Sequence, residues 1–335
     1  MPDDSLHVNH IGSTPTRRLA PDAEGIAQAA RLLADGRLVA FPTETVYGLG
    51  ADATDGAAVA AIYAAKERPR FNPLIAHLPD LAAARREGAF GPEALRLAEA
   101  FWPGPLTLVV PLAATARVSD LARAGLDSVA IRVPASPLAH ALLTQVGRPV
   151  AAPSANRSGR VSPTAADHVL GDLDGRIAAV LDGGPCPVGV ESTIVACLDG
   201  APRLLRPGGV PREAIEAVLG RALLAPEAAD AAPRAPGLLA SHYAPRAAVR
   251  LDAAAIRPDE AALLFGDAQP PGLERARLSF NLSPRGDLAE AASNLFSALR
   301  RLDASGAATI AVTPIPRHGL GEAIADRLAR AAAPR

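Results

Sequence analysis

The amino-acid sequence predicts an α/β protein of two domains. Short apolar runs alternate with longer segments in which apolar residues recur at helical spacing, which is typical of α/β folds. The chain has 335 residues and is long enough to form two hydrophobic cores. An alanine- and proline-rich segment, residues 221–236, separates two such alternating regions and has the composition of an extended linker.

The first alternating region begins at Asp22 and predicts a mixed α/β domain. Helices are expected at residues 22–35, 56–66 and 92–101, and from Pro211 onward, because proline is favoured in the first turn of a helix. Strands are expected at residues 38–41, 74–77, 106–110, 128–133, 149–152, 177–181 and 192–197. Residues 1–20 are polar and are interpreted as a tail, so this domain is assigned to residues 21–220.

The second alternating region predicts a smaller, doubly wound, Rossmann-like domain over residues 246–335, after a linker over residues 221–245. Its strands are expected at residues 249–251, 261–265, 278–280 and 309–313, and its helices at residues 287–303 and 320–332. Strands that alternate with helices in this way usually form a parallel sheet.

Composition and charge exclude several classes of function. A net charge of −1 and a pI near 6.7 give no basic field over the whole protein, so nucleic-acid binding as the main activity would need a local basic patch. No apolar run approaches the ~18 residues that span a bilayer, and we expect a soluble, cytoplasmic protein without membrane partners. Cys186, Cys197 and the seven histidines show no metal-binding spacing, so a structural metal is not expected.

Lys66 is the strongest single candidate for chemistry. Of the 34 lysine and arginine residues, it is the only lysine, although an ammonium and a guanidinium are not interchangeable at a phosphate. Arg68 and Arg70 follow it where a predicted helix ends in a proline-broken loop, so three cations gather at one place. Taken alone, the single lysine is also compatible with drift in composition.

Several glycine-flanked polar segments lie at predicted strand ends, where α/β sheets bind ligands. They cover residues 41–50, 151–164, 189–193 and 205–209, while residues 102–107 predict a rigid turn below the site. Gly48 and Gly50 lack the third glycine of a dinucleotide fingerprint. These segments supply many donors and several arginines but no nucleophile–base pair, which favours phosphoryl or nucleotidyl transfer, a chemistry of positioning and charge neutralisation.

Seven motifs in order resemble those of the threonylcarbamoyl-adenylate synthase family, whose domain is of the YrdC type. The motifs lie at residues 42–50, 66–74, 103–107, 129–134, 152–164, 189–194 and 205–208. Residues 235–245 resemble the linker motif of the longer, two-domain form of that family, so the resemblance covers about residues 22–335. It implies a YrdC-type twisted mixed sheet with flanking helices, followed by the Rossmann-like domain.

The resemblance also implies a reaction and its site residues. L-threonine, bicarbonate and ATP, with Mg²⁺ held by unknown ligands, would give L-threonylcarbamoyl-adenylate and pyrophosphate for N6-threonylcarbamoylation of adenosine 37 in tRNA by a downstream transferase machinery. The threonine ligands that it implies are Thr45, His77, Arg132, Ala152 and Ser192. The nucleotide ligands that it implies are Lys66, Arg68, Asn72, Ser128, Ser154, Asn156, Ser162, Arg206, His242 and Tyr243, with Lys66 and Arg68 catalytic.

Two other functions and two alternative interpretations of residues are compatible with parts of the sequence. Hydrogenase-maturation carbamoyltransferases carry the same domain type, but their acylphosphatase module and cysteine-rich zinc motifs are missing here. Direct tRNA binding would be weak, since the charge is nearly neutral. His77 alone would be a core histidine, and His242 with Tyr243 could anchor a linker instead of closing over the nucleotide.

The linker departs from the family pattern at Leu238, Ala240 and Ser241, which leaves open whether these positions contact a ligand.

Overall fold

The computed structural model describes residues 15–69, 72–198, 200–225 and 242–334, which form two β-sheets with helices packed against them. The helices are α1 (Ala23–Ala34), α2 (Gly56–Lys66), α3 (Leu81–Glu87), α4 (Pro92–Phe101), α5 (Asp120–Arg123), α6 (Pro137–Val146), α7 (Ala166–Leu173), α8 (Arg212–Leu219), α9 (Leu288–Ala304) and α10 (Leu320–Ala332). In this part of the chain no helix is both long and apolar enough to cross a bilayer.

The larger sheet has ten strands in the order β1-β8-β2-β3-β7-β4-β6-β5-β9-β10. They are β1 (Arg17–Leu19), β2 (Val39–Pro42), β3 (Tyr47–Asp52), β4 (Ile75–His77), β5 (Leu106–Pro111), β6 (Ser128–Arg132), β7 (Val150–Ala151), β8 (Ala179–Leu181), β9 (Thr193–Ala196) and β10 (Arg203–Arg206). Parallel and antiparallel pairs alternate irregularly across it, with β4 parallel to β6 and β5 parallel to β9. The predicted mixed sheet with flanking helices is therefore confirmed.

The smaller sheet consists of four parallel strands in the order β11-β14-β12-β13. These strands are β11 (Ala248–Arg250), β12 (Ala261–Leu264), β13 (Leu278–Asn281) and β14 (Thr309–Val312). The chain moves outward from β12 to β13 and then returns through α9 to insert β14 on the other side of β12. This change of direction is the doubly wound arrangement that the alternating sequence predicts.

Six of the ten helices named above begin at residues whose side chains cap them. Asp22 and Asp55 accept hydrogen bonds from the backbone N–H groups of Gly25 and Ala57, at 2.8 Å each, and Ser136 caps α6 ahead of Pro137. Such caps satisfy backbone donors that have no partner within the helix. The end of α2 is set differently, because Glu67 adopts a left-handed backbone with φ 55° directly after Lys66.

The two sheets are joined through an apolar cluster that crosses between them. Val46, Val161 and Val190 from the larger unit pack in one buried cluster with Leu295, Phe296 and Leu299 of α9. Polar contacts flank this cluster: the Thr164 and Ser297 hydroxyls are 3.0 Å apart, and Arg212 pairs with Glu322 at 2.5 Å. The C-terminal unit is thus packed against the larger sheet by both apolar and charged contacts.

Two segments differ from the sequence-based expectation. Residues 17–19, assigned to a polar tail, form β1, which pairs in parallel with β8 and buries Leu19. Residues 41–50, interpreted as a loop after one strand, form a hairpin in which β2 and β3 pair antiparallel around a turn at residues 43–46. Gly48 and Gly50 lie inside β3, where Gly50 allows Phe41 and Val39 to approach closely.

Gly189 provides a test of the packing between the two units. It has φ +76°, and a Cβ there would lie 2.4 Å from the Ala292 carbonyl oxygen and the Ser293 Cα of α9. We expect Gly189→Ala to lower the free energy of unfolding by about 1–3 kcal/mol from overlap, beyond about 1 kcal/mol of backbone strain.

The matched control is Gly184→Ala, since Gly184 also has φ +76° but nothing lies within 4 Å of its added Cβ. Thermal unfolding of both variants separates overlap from strain. Equal shifts in the melting temperature would contradict the close approach of α9 to Gly189.

Candidate active site

Most of the sequence-predicted residues meet at one pocket on the larger sheet, beside the C-terminal unit. It is lined by Val46, Arg68, Ile75, His77, Arg132, Ala152, Pro153, Ser154, Glu191, Ser192, Arg206, His242 and Tyr243. Nine of the fifteen site residues named from the sequence line this pocket directly, and Lys66, Thr45, Asn156 and Ser162 are buried next to it.

Lys66 is the last residue of α2 and is held by the loop after β7. Its Nζ donates to the backbone carbonyls of Ser154 and Asn156, and the Lys66 carbonyl accepts from the Ser158 N–H. The side chain is 1% exposed. Because the left-handed Glu67 turns the chain immediately afterwards, Arg68 also lies on the inner side of this turn and is buried.

The charges of these two cations are not neutralised by neighbouring acids. Within 4.0 Å of Lys66 or Arg68, the described residues place no carboxylate, and the guanidinium of Arg68 makes only long contacts of 3.4–3.5 Å with the Asn72 and Pro73 carbonyls. Burial, followed by the charge of Arg68, lowers the pKa of Lys66 well below its usual value. Burial also lowers the pKa of Arg68, to about 10. The pocket therefore favours an anionic ligand.

Arg206 adds a third cation from the end of β10. Its Nη2 donates to the Ser192 carbonyl at 2.8 Å, and burial lowers the pKa of its guanidinium. Gly208 makes this approach possible, because a Cβ there would lie 2.4 Å from the backbone of Glu191, Ser192 and Thr193.

The other end of the pocket contains the residues named for threonine. His77 ends β4, where burial and then the charge of Arg132 lower its pKa to about 3, so the ring is neutral at pH 7. Arg132 ends β6 and donates from Nη2 to Glu44 at 2.6 Å.

The other residues named for threonine supply hydroxyl and backbone groups. The Ser192 hydroxyl lies 2.7 Å from that of Thr107, and the Ala152 backbone N–H donates to the Ile75 carbonyl. The hydroxyl of Thr45 lies 2.8 Å from that of Thr43.

Strand register separates Ser128 from His77 and Arg132 along the sheet. β4 and β6 run in parallel with His77 beside Arg132 and Ile75 beside Ala130. Ser128 begins β6, four residues before Arg132, so the two lie at opposite ends of the strand, about 13 Å apart. Ser128 therefore does not meet the pocket lining and lies with Asn72 at the starts of these strands.

An apolar floor connects the two ends. Ile75, Val109, Ala130, Ile194, Ala196 and Leu205 form one buried cluster on the sheet. At its edge, Asn72 is fully buried, and neither polar atom of its amide has a hydrogen-bond partner in the part of the chain that the structure describes. Because an unpaired buried amide is costly, this residue has the character of a ligand-binding group.

The loop after β7 supplies the remaining nucleotide candidates. Asn156 donates from its amide to the carbonyls of Arg157 and Arg160, and its Oδ1 is buried without a partner among the described residues. The Ser162 hydroxyl donates to Glu191 at 2.5 Å, and Ser154 is half-buried at the pocket edge. These contacts make the loop rigid around the Lys66 ammonium.

His242 and Tyr243 lie over the pocket. Their rings meet edge to face with centroids 4.1 Å apart, and Tyr243 stacks on Phe296 of α9 at 5.7 Å. Burial lowers the pKa of His242 to about 3, so its ring is neutral at pH 7. Leu238, Ala240, Ser241 and Arg70 lie outside the described residues.

Four residues of the site received no role from the sequence. Glu44 orients Arg132, Thr107 contacts Ser192, and Glu191 accepts from both Ser162 and Arg327. Glu44 and Glu191 both lie in segments that the sequence singled out, and the one local signal is a carboxylate next to a hydroxyl-bearing residue, which does not reveal its arginine partner. Arg327 had no such signal, because it lies in an ordinary amphipathic helix.

The described residues do not form a resident metal site. They contain no group of three or more histidine, cysteine, aspartate or glutamate side chains that could hold a metal ion. The carboxylates nearest the pocket, Glu44 and Glu191, each pair with an arginine. This donor set does not fit a protein cage for a divalent cation.

Fold and site together define a two-domain α/β protein with a cation-rich, ligand-binding pocket on its larger sheet. A family model described as "Telomere recombination" (Sua5, YciO, YrdC) matches residues 31–208, and one described as "Threonylcarbamoyl-AMP synthase, C-terminal domain" matches residues 210–333. The chain belongs to this Sua5/YciO/YrdC family, which confirms the resemblance identified in the sequence.

Several relatives resemble the chain over nearly its whole length. A threonylcarbamoyl-AMP synthase from Bacillus subtilis is 43% identical, with 95% of each chain covered. One from Pyrococcus abyssi is 42% identical over 90% of this chain and 92% of its own. The crystal structure of P. abyssi Sua5 complexed with L-threonine has a TM-score of 0.85 and 38% identity, covering 95% of this chain and 98% of that one.

The lowered pKa of Lys66 predicts that anion binding is coupled to proton uptake. Without ligand, the ammonium loses its proton below its usual pKa, whereas a bound phosphate would raise that pKa. Between these two pKa values, binding of pyrophosphate should therefore take up at most about one proton, and affinity should fall as pH rises through the lower one.

Calorimetry of pyrophosphate binding at alkaline pH, in two buffers of different ionisation enthalpy, measures this uptake. Lys66→Arg is the matched control, since the new arginine stays charged, while proton uptake by pyrophosphate and by Arg68 is common to both proteins. Equal proton uptake by both proteins would contradict a titrating Lys66.

Proposed function

We propose that this protein is an L-threonylcarbamoyladenylate synthase, a nucleotidyltransferase that converts L-threonine, bicarbonate and ATP into threonylcarbamoyl-AMP and pyrophosphate. The relatives from B. subtilis and P. abyssi carry the name threonylcarbamoyl-AMP synthase, and the P. abyssi protein was crystallised with L-threonine. The near-complete coverage of both chains supports transfer of the activity to the whole protein.

The observation that carries this proposal is the composition of one pocket. Two buried cations without an acidic partner among the described residues, Lys66 and Arg68, lie in or next to the pocket, and the pair His77 and Arg132 lines it. The first group suits a polyphosphate and the second an amino acid. A pocket that holds both can bring an amino-acid derivative to the α-phosphorus of ATP.

The threonine would bind at the ends of β4 and β6. Arg132, oriented by Glu44, would donate to the carboxylate of the amino acid, a pairing for which a guanidinium is well shaped. Neutral His77 can hydrogen-bond to threonine without adding charge beside its amine. Thr45, Ser192 and the backbone of Ala152 would complete this end.

The nucleotide would extend from this end over the apolar floor. Lys66, Arg68 and Arg206 would neutralise the phosphates, while the partnerless amide atoms of Asn72 and Asn156 offer donors and acceptors to the nucleoside and phosphates. Ser128, Ser154 and Ser162 would lie along its path, and His242 with Tyr243 would cover it and exclude water.

The reaction balances without a protein nucleophile. The threonine amine attacks the bicarbonate carbon to form an N-carboxylate with release of water. An oxygen of this carbamate then forms a bond to the α-phosphorus as the bond to the pyrophosphate oxygen breaks. The negative charge that builds on pyrophosphate faces Lys66 and Arg68, which stabilise it more in the transition state than in the ground state.

Magnesium would enter as part of the substrate. Mg²⁺ in proteins commonly keeps several waters and binds substrate phosphates with only one or two carboxylates. We therefore assign it to the ATP phosphates, in keeping with the donor set of the described residues. Lys66, Arg68 and Arg206 would hold the phosphate oxygens that the ion leaves open.

The product is a mixed anhydride and would be consumed by group transfer to an acceptor. We propose that this acceptor is the N6 amine of adenosine 37 in tRNA, modified by a separate threonylcarbamoyl transferase machinery. With a net charge of −1, the protein would bind tRNA only weakly itself.

Pyrophosphate release from ATP tests the reaction. We expect release to require both L-threonine and bicarbonate, and labelled bicarbonate carbon to appear in an adenylate together with threonine. Release that persists without threonine would contradict the proposal.

Lys66→Ala tests the role assigned to the single lysine. Loss of its charge should lower kcat by about 10²–10³-fold, since charge stabilisation at the leaving group is lost. Arg157→Ala is the matched control, because Arg157 lies beside Lys66 in the fold but pairs with Glu67 at the surface. It should keep kcat within about threefold of wild type. Near-normal, threonine-dependent pyrophosphate release by Lys66→Ala would refute this role.

A further inference from the structure

Arg327 reaches from the C-terminal unit into the wall of the pocket. It lies on α10, yet its side chain is fully buried, and its Nε donates to Glu191 at 2.7 Å. Its Nη1 donates to the Pro207 carbonyl at 3.0 Å, and its guanidinium lies 5.1 Å from the centre of the Tyr243 ring. Arg327 therefore contacts three segments that border the pocket.

The contact of Arg327 with Glu191 affects the pocket because Glu191 lines it. It is buried between the cations of the pocket and α10, accepting from Ser162 on one oxygen and from Arg327 on the other. Although burial alone would raise the pKa of Glu191, the charges of Arg327 and Arg206 hold it below its usual value. The carboxylate is thus ionised, and two arginines on opposite sides attract it.

The two arginines have different tasks. Arg206 ends β10, lines the pocket and donates to the Ser192 carbonyl. Arg327 does not line the pocket and approaches Glu191 from α10. A buried carboxylate that lost Arg327 would turn to the remaining cation, because an unpaired buried charge is very unfavourable. That movement would cancel positive charge in the phosphate site and withdraw the partner of the Ser162 hydroxyl.

We propose that Arg327 is a positioning residue of the nucleotide site: by pairing with Glu191, it prevents an ion pair between Glu191 and Arg206. The C-terminal unit then contributes to nucleotide binding through one buried side chain. Arg327 also supports Tyr243 by a cation–π contact, which keeps this ring against Phe296. This inference rests on the proposed use of ATP.

The experiment compares ATP affinity, measured by calorimetry, among variants of the full-length protein. R327M should weaken ATP binding at least about tenfold, because it frees Glu191. The double variant R327M/E191Q should recover at least half of that loss on a logarithmic scale, since the competing carboxylate is neutral. A purely structural role of Arg327 would predict no such recovery.

R212M is the matched control for packing between the units. Arg212 pairs with Glu322 of α10 across the same interface but does not line the pocket. It should keep ATP affinity within about threefold of wild type. Circular dichroism and thermal unfolding report whether each variant is folded.

R327K keeps the proposal testable if R327M does not fold. The ammonium retains the charge that holds Glu191, so ATP affinity should stay within about threefold of wild type. The proposal is overturned if R327M loses no more affinity than R212M, if the double variant binds no better than R327M, or if R327K loses tenfold. Failure of the wild-type protein to bind ATP would instead overturn the proposed function.

Discussion

The pocket depends on two buried cations, Lys66 and Arg68, that have no acidic partner among the described residues. Lys66 is held by the carbonyls of Ser154 and Asn156, whose partial negative charges stabilise the ammonium without cancelling it. An acidic partner would make the apoprotein more stable but would compete with a phosphate for the same cation. The lowered pKa values of Lys66 and Arg68 are the cost of this arrangement, and a bound polyanion would relieve it.

The larger sheet places polar residues at both ends of β4 and β6, next to the buried cations. β4 and β6 run in parallel and in register, so that His77 and Arg132 stand side by side at one end while Asn72 and Ser128 lie at the other. Between them the strands present only apolar side chains. A ligand that lies along these strands therefore meets a charged end at His77 and Arg132, an uncharged polar end at Asn72 and Ser128, and an apolar surface between, which fixes its direction along the pocket.

Much of this could be predicted from the sequence, and the failures have identifiable causes. Alternating apolar patterns predicted both sheets, because short buried strands and amphipathic helices have distinct periods. The second strand of the hairpin at residues 41–50 is not predicted, because glycine is uncommon inside strands. In β3, Gly50 permits close packing. Glu44 and Glu191 could not be assigned, since a carboxylate becomes a positioning group only through an arginine that is distant in sequence.

The same reasoning explains why the role of the C-terminal domain cannot be read from its own sequence. Arg327 occupies one position of an ordinary amphipathic helix, and its significance arises from Glu191, 136 residues earlier in the chain. Buried ion pairs are weak evidence for stability, because desolvation offsets most of their attraction. The Arg327–Glu191 pair instead favours the arrangement in which Glu191 pairs with Arg327 over the one in which it pairs with Arg206. With Arg327 in place, the ionised carboxylate of Glu191 pairs with α10 and not with Arg206, which lines the pocket. A domain without pocket-lining strands of its own thereby influences the electrostatics of the site.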